Sequence, residues 1–170
     1  MSGMPQRTLL DGIDAAAEFD PTGLYRYTLR RVWAPAQPLT CFLMLNPSTA
    51  DAMRNDPTVT RCIGFAHRWN AGGLLVGNIF GLRSTDPRAL YDAADPIGPD
   101  NDRRLVELAR AANRVVVAWG VHGVLRGRGA EVARMMASAG IQLVCLGRTK
   151  DGHPRHPLYL PAAAEPQPYQ

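Results

Sequence analysis

Residues 39–51 have the sequence LTCFLMLNPSTAD, in which an almost wholly apolar run stops abruptly at an Asn-Pro pair. A short apolar run that ends in a turn is typical of a strand buried on both faces of a parallel sheet. Pro47 cannot donate a hydrogen bond to a neighbouring strand, and it disfavours the helical conformation at Asn46. The strand is therefore predicted to end here, with Asn46, Pro47 and Ser48 at the edge where open α/β sheets bind ligands.

The composition of the 170-residue chain suits one globular domain with a sizeable core, because 46% of its residues are hydrophobic and 20% are charged. No apolar stretch approaches the length of a membrane span, and the N-terminus lacks the pattern of a signal peptide. Three cysteines, at positions 41, 62 and 145, show no metal-ligand spacing. We therefore expect a cytoplasmic protein with reduced core cysteines, no cofactor, no metal and no membrane partner.

The net charge is +4, and of the 19 lysines and arginines only Lys150 is a lysine. Arginine makes planar, bidentate contacts with phosphate groups and stacks on bases, so this composition is compatible with a nucleic-acid or nucleotide partner. A simple bias toward arginine explains the same composition equally well.

Four apolar runs alternate with predicted helices, and their order predicts the fold class. Each run ends in glycine, proline or polar residues, and the segments between the runs carry apolar residues at helical spacing. We therefore predict an α/β fold, a three-layer α/β/α sandwich around a central four-stranded parallel sheet with right-handed connections. The predicted strands are residues 39–45, 74–80, 115–119 and 141–146.

The predicted α/β core domain covers residues 39–160 and is flanked by two segments. Residues 1–38 are predicted to form an N-terminal extension with an edge strand or hairpin, in which residues 24–33 form an arginine-bearing strand. A short helix is predicted around residues 15–17 of this extension. Residues 161–170 are predicted to form a flexible tail.

Each predicted core strand is followed by residues capable of chemistry. Because the carboxyl ends of parallel strands meet at one edge of the sheet, we expect these side chains to share a pocket. Asn78 lies inside an apolar run, where its amide must find hydrogen-bond partners. The candidate site residues are Asn46, Pro47, Ser48, Asn78, Arg83, His122, His153, Arg155 and His156.

Several of these segments resemble the core motifs of the uracil-DNA glycosylase superfamily. The similar segments are residues 45–48, the run with Asn78, residues 115–120 and the His153-Pro154 pair. Over about residues 39–158, this resemblance implies a fold more directly than an activity. Nearly the whole chain is also similar to bacterial and phage proteins of unknown function that share the motifs LNPSTAD, DPTVTRC and GHPRHPLYL.

The resemblance implies specific roles for three residues. Asn46 matches the position that places the attacking water, and because an amide cannot accept the proton of that water, hydrolysis should be slow. Asn78 matches the asparagine that recognises the edge of a flipped pyrimidine. His153 matches the histidine that stabilises negative charge on the departing base. The other predicted substrate-binding residues are Pro47, Ser48, Arg83, His122, Arg155 and His156.

The sequence also departs from the glycosylase pattern. Residues 48–49 are Ser-Thr where efficient uracil-removing enzymes carry an aromatic residue that packs on the base. Leu158 and Tyr159 either fill the base stack after flipping or are ordinary packing residues. Asp51 and Asp56 follow the first motif, and each either serves as the base that an asparagine cannot be or caps a helix.

Two functions of different classes are compatible with this sequence. In the first, an enzyme cleaves the N-glycosidic bond of a nucleobase in nucleic acid or a nucleotide, with Asn46, Asn78 and His153 in the roles given above. In the second, the fold is a non-catalytic module that binds a nucleobase, nucleotide or nucleic acid. As the alternative to any ligand role, Asn46 caps a turn and Asn78 satisfies a neighbouring backbone group. A third, a different transfer reaction on a modified base, would use Ser48 or a histidine. A carboxylate in the folded pocket favours the enzyme.

Overall fold

One β-sheet forms the centre of the structure, a computed structural model that describes residues 6–10 and 12–170. Residues 1–5 and 11 of the predicted N-terminal extension lie outside the described residues. The strands in the described part of the chain are β1 (Gln6–Leu10), β2 (Ile13–Phe19), β3 (Arg26–Val32), β4 (Leu39–Met44), β5 (Gly73–Asn78), β6 (Arg114–Val117), β7 (Leu143–Cys145) and β8 (Gln167–Tyr169). They lie in the order β1-β2-β3-β5-β4-β6-β7-β8 across the sheet.

Helices connect these strands and cover the sheet. The described α-helices are α1 (Pro57–Arg68), α2 (Ala89–Asp92), α3 (Asn101–Ala111) and α4 (Arg128–Ser138). Short 3-10 helices run over Val121–Gly127 and Pro157–Tyr159.

The middle of the sheet is parallel and its flanks are antiparallel. β4 pairs in parallel with β5 and with β6, and β6 pairs in parallel with β7. β1, β2 and β3 extend the sheet beyond β5 by antiparallel pairing, and β8 does so beyond β7. The predicted α/β class is confirmed, whereas the sheet is larger than the predicted four-stranded parallel sheet and is mixed.

The side chains of the central strands alternate between two apolar layers. Cys41 and Leu43 of β4 belong to a cluster that includes residues of α3 and α4, whereas Phe42 and Met44 belong to a cluster that includes residues of α1. Because both faces of the strand are covered, its sequence is a continuous apolar run instead of an alternating one. The ends of the parallel strands consequently open between α1 on one face and α3 and α4 on the other.

β3 is an interior strand, so the prediction of an edge strand over residues 24–33 is wrong. It lies between β2 and β5. Arg26 and Arg31, expected on an exposed arginine face, are only 2% and 1% exposed. Both guanidinium groups donate to backbone carbonyls of the β4–α1 loop, and Arg31 also donates to the Asn55 side chain at 2.9 Å. These acceptors lie about two dozen residues away along the chain, where strand periodicity gives no sign of them.

The prediction of a short helix around residues 15–17 is also wrong, because these residues belong to β2. Ala15 and Ala17 are buried at alternate positions, as the two-residue period of a strand requires. Antiparallel pairing with β1 and β3 outweighs the helical propensity of alanine here. β1 and β2 form the hairpin that was the second possibility for this extension.

The predicted flexible tail ends in a strand. β8 pairs antiparallel with β7, matching Tyr169 with Leu143. The Tyr169 ring packs edge-on against Trp119 with a centroid distance of 5.7 Å, and the Arg148 guanidinium lies 4.7 Å from the Tyr169 centroid. These contacts with distant residues order a segment whose own sequence is too short and too rich in proline to indicate a strand.

Candidate functional site

A cavity of about 430 Å³ opens at the carboxyl ends of β4, β5 and β6. Its volume falls in the roughly 300–1,000 Å³ range of small-molecule sites. Arg26, at the start of β3, and Asn78, at the end of β5, line it together with residues from five connecting segments. These segments lie within residues 44–48, 56–59, 84–87, 119–122 and 156–159.

The cavity brings together six of the nine residues that the sequence singles out. Its lining includes Asn46, Pro47, Ser48, Asn78, His122 and His156. Three candidates lie outside the described lining, namely Arg83, His153 and Arg155.

The two arginines outside the cavity contact other parts of the chain. Arg83 donates through Nη1 to the carbonyl of Gly23 at 3.1 Å, and its guanidinium lies 4.8 Å from the centroid of the Phe19 ring. Arg155 donates through Nη2 to the carbonyl of Tyr159 at 2.6 Å and so supports the 3-10 helix beside the cavity. Neither contact places a guanidinium among the lining side chains.

His153 is half-buried in the loop after β7. Its backbone N–H donates to Oγ1 of Thr149 at 3.1 Å, and its carbonyl accepts from the N–H of Thr149 at 2.8 Å. The next residue, Pro154, accepts a hydrogen bond from the N–H of Gly120 at 2.8 Å. The loop is thus tied to the end of β6, and His156 of the same loop is the histidine that lines the cavity.

Asn46 joins the two loops that follow β4 and β5. Its Nδ2 donates to the carbonyls of Ser84 at 2.9 Å and Pro47 at 3.2 Å, and the N–H of Ser84 donates to the carbonyl of Pro47 at 2.9 Å. The two amide hydrogens are therefore used inside the protein. Oδ1 of Asn46 remains an acceptor with no partner within residues 12–170.

Asn78 is only 2% exposed and is held by Arg26. Nη2 of Arg26 donates to Oδ1 of Asn78 at 3.2 Å, and Nη1 donates to the carbonyl of Ala50 at 2.8 Å. Burial lowers the pKa of Arg26 to about 10, against an opposing effect of Asp56. The guanidinium therefore remains protonated at neutral pH and keeps its donors.

Asp56 is the carboxylate of the described cavity lining. It is the N-cap of α1, accepting through Oδ1 from the N–H of Val59 at 2.8 Å, with Pro57 in the first turn as the sequence predicts. Asp51, the other carboxylate considered, is outside the lining and accepts from the N–H groups of Met53 and Arg54. These hydrogen bonds lower the pKa of Asp51 against the effect of its burial.

The two histidines of the cavity are both hydrogen-bonded. Nδ1 of His156 accepts from the N–H of Leu158 at 3.3 Å, so a neutral imidazole carries its proton on Nε2. Burial lowers the pKa of His156, and the charge of Asp56 partly offsets this, so His156 is neutral at pH 7. Nδ1 of His122 lies 3.0 Å from the hydroxyl of Tyr91.

Large hydrophobic side chains are exposed among the residues that line the cavity. Three lining residues expose large hydrophobic side chains, Val121 at 50%, Leu158 at 45% and Tyr159 at 74%. Exposed apolar groups at the rim of a polar cavity are typical of a surface that contacts a ligand or partner.

Sequence reasoning missed Arg26, because a single arginine in a strand gives no sign of what it contacts. A weak signal exists in the interleaving of arginine with apolar residues over residues 24–33, which also fits a strand covered on both faces. Trp119 was singled out as the end of a strand, and the structure adds that it lines the cavity.

No cluster of three or more metal-ligating side chains occurs within the described residues. None of the helices in that part of the chain combines the length and the apolar character needed to cross a membrane. All three cysteines are buried and unpaired, as predicted.

These features define an α/β domain with a cavity of mixed polar and apolar lining at the carboxyl ends of its parallel strands, with a buried arginine among the lining residues. The chain belongs to the family described as "Protein of unknown function (DUF1643)", whose pattern matches residues 26–158. No curated protein and no solved structure matches the chain. The match begins at Arg26, and Tyr159 is the one described lining residue beyond its end. The family match thus covers the cavity lining except Tyr159 and excludes β1, β2 and β8.

Proposed function

We propose that the cavity binds a nucleobase and that the protein hydrolyses the N-glycosidic bond between that base and its sugar, in nucleic acid or in a nucleotide. The observation that carries this proposal is that one carboxylate, Asp56, and two amides, Asn46 and Asn78, line the same cavity. A carboxylate supplies the general base that an amide cannot be. The resemblance of the strand-end motifs to the uracil-DNA glycosylase superfamily supports the same reaction.

In the proposed reaction, the oxygen of a water molecule bonds to the anomeric carbon of the sugar while the bond from that carbon to the base nitrogen breaks. The electron pair of the broken bond leaves with the base, and a proton of the water passes to Asp56. Asn46 orients the water through Oδ1, since its amide hydrogens are already held by the carbonyls of Ser84 and Pro47. Positioned acid–base groups of this kind contribute about 10²–10⁴-fold to a rate.

His156 is the proposed hydrogen-bond donor to the departing base. Its Nδ1 accepts from the backbone of Leu158, so the neutral ring presents the Nε2 proton. A fixed donor placed where negative charge develops stabilises the transition state. The resemblance assigns this role to His153, but His156 is the one that lines the cavity.

The exposed hydrophobic side chains of the cavity lining support a nucleic-acid partner over a free base. Tyr159 and Leu158 are exposed beside the cavity, where they can contact bases next to an extruded nucleotide. Aromatic and apolar side chains of this kind commonly stabilise an unstacked strand.

The test is base release from single- and double-stranded oligonucleotides that carry uracil, hypoxanthine or modified pyrimidines. We expect release of one base by the wild-type protein, abolished in Asn46→Ala and in His156→Ala. His153→Ala compares the two histidines directly, because it changes the same loop outside the cavity lining. Loss of release in His153→Ala with normal release in His156→Ala would contradict the proposed assignment.

One observation favours the non-catalytic alternative, a module that binds a nucleobase, nucleotide or nucleic acid. Asn46 and Asp56 both have structural hydrogen bonds, to the Ser84 carbonyl and from the Val59 N–H, respectively. On this interpretation, oligonucleotides bind without base release, and binding is lost in Asn78→Ala. Absence of both release and binding would reject both functions for nucleic acid and direct the assay to free nucleotides.

A further inference from the structure

Arg26 is a buried cation that makes no ion pair with a carboxylate of the described residues. Its two terminal nitrogens donate to the carbonyl of Ala50 and to Oδ1 of Asn78, while Nε is buried without a partner. Burying an arginine without an ion pair has an unfavourable desolvation free energy that packing alone does not offset. The contact with Asn78, a lining residue of the cavity, connects this cation to ligand recognition.

The hydrogen bond from Arg26 fixes the orientation of the Asn78 amide. A guanidinium can only donate, so it must meet the amide oxygen and cannot accept from the amide nitrogen. Nδ2 of Asn78 has no hydrogen-bond partner within residues 12–170, and this nitrogen is not fully buried. Because Asn78 lines the cavity, this nitrogen is a hydrogen-bond donor that remains available for a ligand there.

We infer that Arg26 is a specificity-determining residue that acts through Asn78, so that the cavity selects bases with a carbonyl oxygen at the recognised edge over bases with an amino group. The inference rests on the proposed nucleobase binding and holds whether or not the base is then released. An unrestrained asparagine could rotate to present either its oxygen or its nitrogen to a ligand, whereas the hydrogen bond from Arg26 directs Oδ1 toward the guanidinium and leaves the Nδ2 donor for the ligand.

The charge of Arg26 also strengthens this donor. A hydrogen bond from a cation to the amide oxygen polarises the amide, so its N–H groups become better donors. Burial lowers the pKa of Arg26 only to about 10, so the guanidinium is still a cation at neutral pH. A carbonyl oxygen that gains negative charge as a base departs would benefit most from this effect.

Arg31 provides a matched control. It lies on the same strand, is equally buried, and donates to the same β4–α1 loop as Arg26. Its hydrogen-bond acceptors are the Asn55 side chain and backbone carbonyls, and it makes no hydrogen bond to Asn78. Replacing either arginine by methionine therefore removes a buried guanidinium from β3, but only one replacement releases the Asn78 amide.

The experiment measures binding by calorimetry for two pairs of nucleosides that exchange a carbonyl oxygen for an amino group, uridine with cytidine and inosine with adenosine. We expect the wild-type protein to bind one carbonyl-bearing member about tenfold or more tightly than its partner, because the amino group would leave the Asn78 donor unpaired. In Arg26→Met this ratio should fall toward one, and in Arg31→Met it should stay at the wild-type value.

The possible failures are distinguishable. Equal binding of both members of a pair by the wild-type protein would overturn the specificity inference and leave nucleobase binding intact. An unchanged ratio in folded Arg26→Met would overturn the role of Arg26. Absence of binding both to all four nucleosides and to the oligonucleotides above would reject the proposed function together with the inference. If Arg26→Met does not fold, Arg26→Lys keeps the charge but replaces the two donating nitrogens of the guanidinium by one ammonium group. The ratio of its affinities for the carbonyl-bearing and amino-bearing nucleosides should lie below the wild-type value.

Discussion

Replacing Asp56 by asparagine removes the carboxylate from the cavity but keeps an N-cap on α1. Oδ1 of Asp56 accepts from the N–H of Val59 at 2.8 Å, and an asparagine oxygen can accept the same hydrogen bond. Asparagine and aspartate are about equally good N-caps, so this variant separates a structural role from a catalytic one. Asp56→Ala, which removes both the cap and the charge, is the matched comparison.

The expected effects on stability follow from the cap. Asp56→Ala should cost about 1 kcal/mol, which for a chain of this size lowers the melting temperature by about 2–4 °C. Asp56→Asn should lose only the interaction of a negative charge with the helix N-terminus, about 0.3–1 kcal/mol. Both variants should therefore fold, and neither loss of stability would explain an inactive protein.

The expected effect on catalysis is much larger. If Asp56 accepts the proton of the attacking water, its loss should slow base release by about 10²–10⁴-fold in both variants. The charge of Asp56 also raises the pKa of His156 against the effect of burial, so the pKa of His156 should fall further in Asp56→Asn.

Three measurements on each variant test this account: the melting temperature, the rate of base release from the oligonucleotide on which wild-type release is expected, and the titration of His156 followed by NMR. Undiminished release by Asp56→Asn would refute the assignment of Asp56 as the general base. Asp56 would be a helix cap alone if Asp56→Asn were fully active and Asp56→Ala lost only as much activity as its loss of folded protein explains.

The structure makes three further predictions. Burial lowers the folded-state pKa of His156 below its ordinary value of 6.5, so the unfolded chain takes up a proton at this residue first as the pH falls. The free energy of unfolding should therefore decrease as the pH drops below about 6.5. His156→Gln should reduce this loss, as measured by urea unfolding between about pH 5 and 8. All three cysteines are buried, and burial raises the pKa of Cys41 to about 12, so a thiol reagent should label none of them in the native protein and all of them in denaturant. A Cβ at Gly77 would lie 2.7 Å from Cδ2 of Leu105, so Gly77→Ala should destabilise the protein by about 1–3 kcal/mol, as measured by denaturant unfolding. Gly64→Ala is the control and should cause no such loss, because no atom beyond its chain neighbours and the backbone of its own helix lies within 4 Å of a Cβ at that position.

The sequence predicts the strands that are covered on both faces better than the strands at the flanks. β4, β5 and β6 are continuous apolar runs because helices cover both faces, and this pattern is local. The Asp56-Pro57 pair likewise predicts the start of α1, because capping depends on adjacent residues. β2 and β8 depend on pairing with other strands, which is not visible in their own sequence. Pairing with β1 and β3 overrides alanine helix propensity in β2, and pairing with the distant β7 orders the short proline-containing segment of β8.

The candidate site follows the same division between local and distant causes. Asn46 and Asn78 lie at strand ends, so the topology of parallel strands brings them to one edge. His153 and His156 lie three residues apart in one loop, and the histidine that lines the cavity is set by hydrogen bonds such as that from Gly120 to Pro154. Arg26 is the extreme case, because both of its acceptors are distant in sequence.

The two charges of the cavity suggest what kind of substrate the site would favour. Arg26 and Asp56 line the same cavity without forming an ion pair, and the charge of Asp56 raises the pKa of Arg26 against its burial. Their fields partly cancel for a neutral ligand at rest, so a neutral base and sugar would bind without a large electrostatic cost. In the proposed reaction, negative charge would grow on the base as the glycosidic bond breaks, and Asn78 would transmit the influence of Arg26 to it. Positive charge would grow on the sugar carbon, where the carboxylate of Asp56 would stabilise it. Arg26 and Asp56 would therefore interact weakly with the neutral substrate and more strongly with the charged transition state. This difference is the differential binding that catalysis requires.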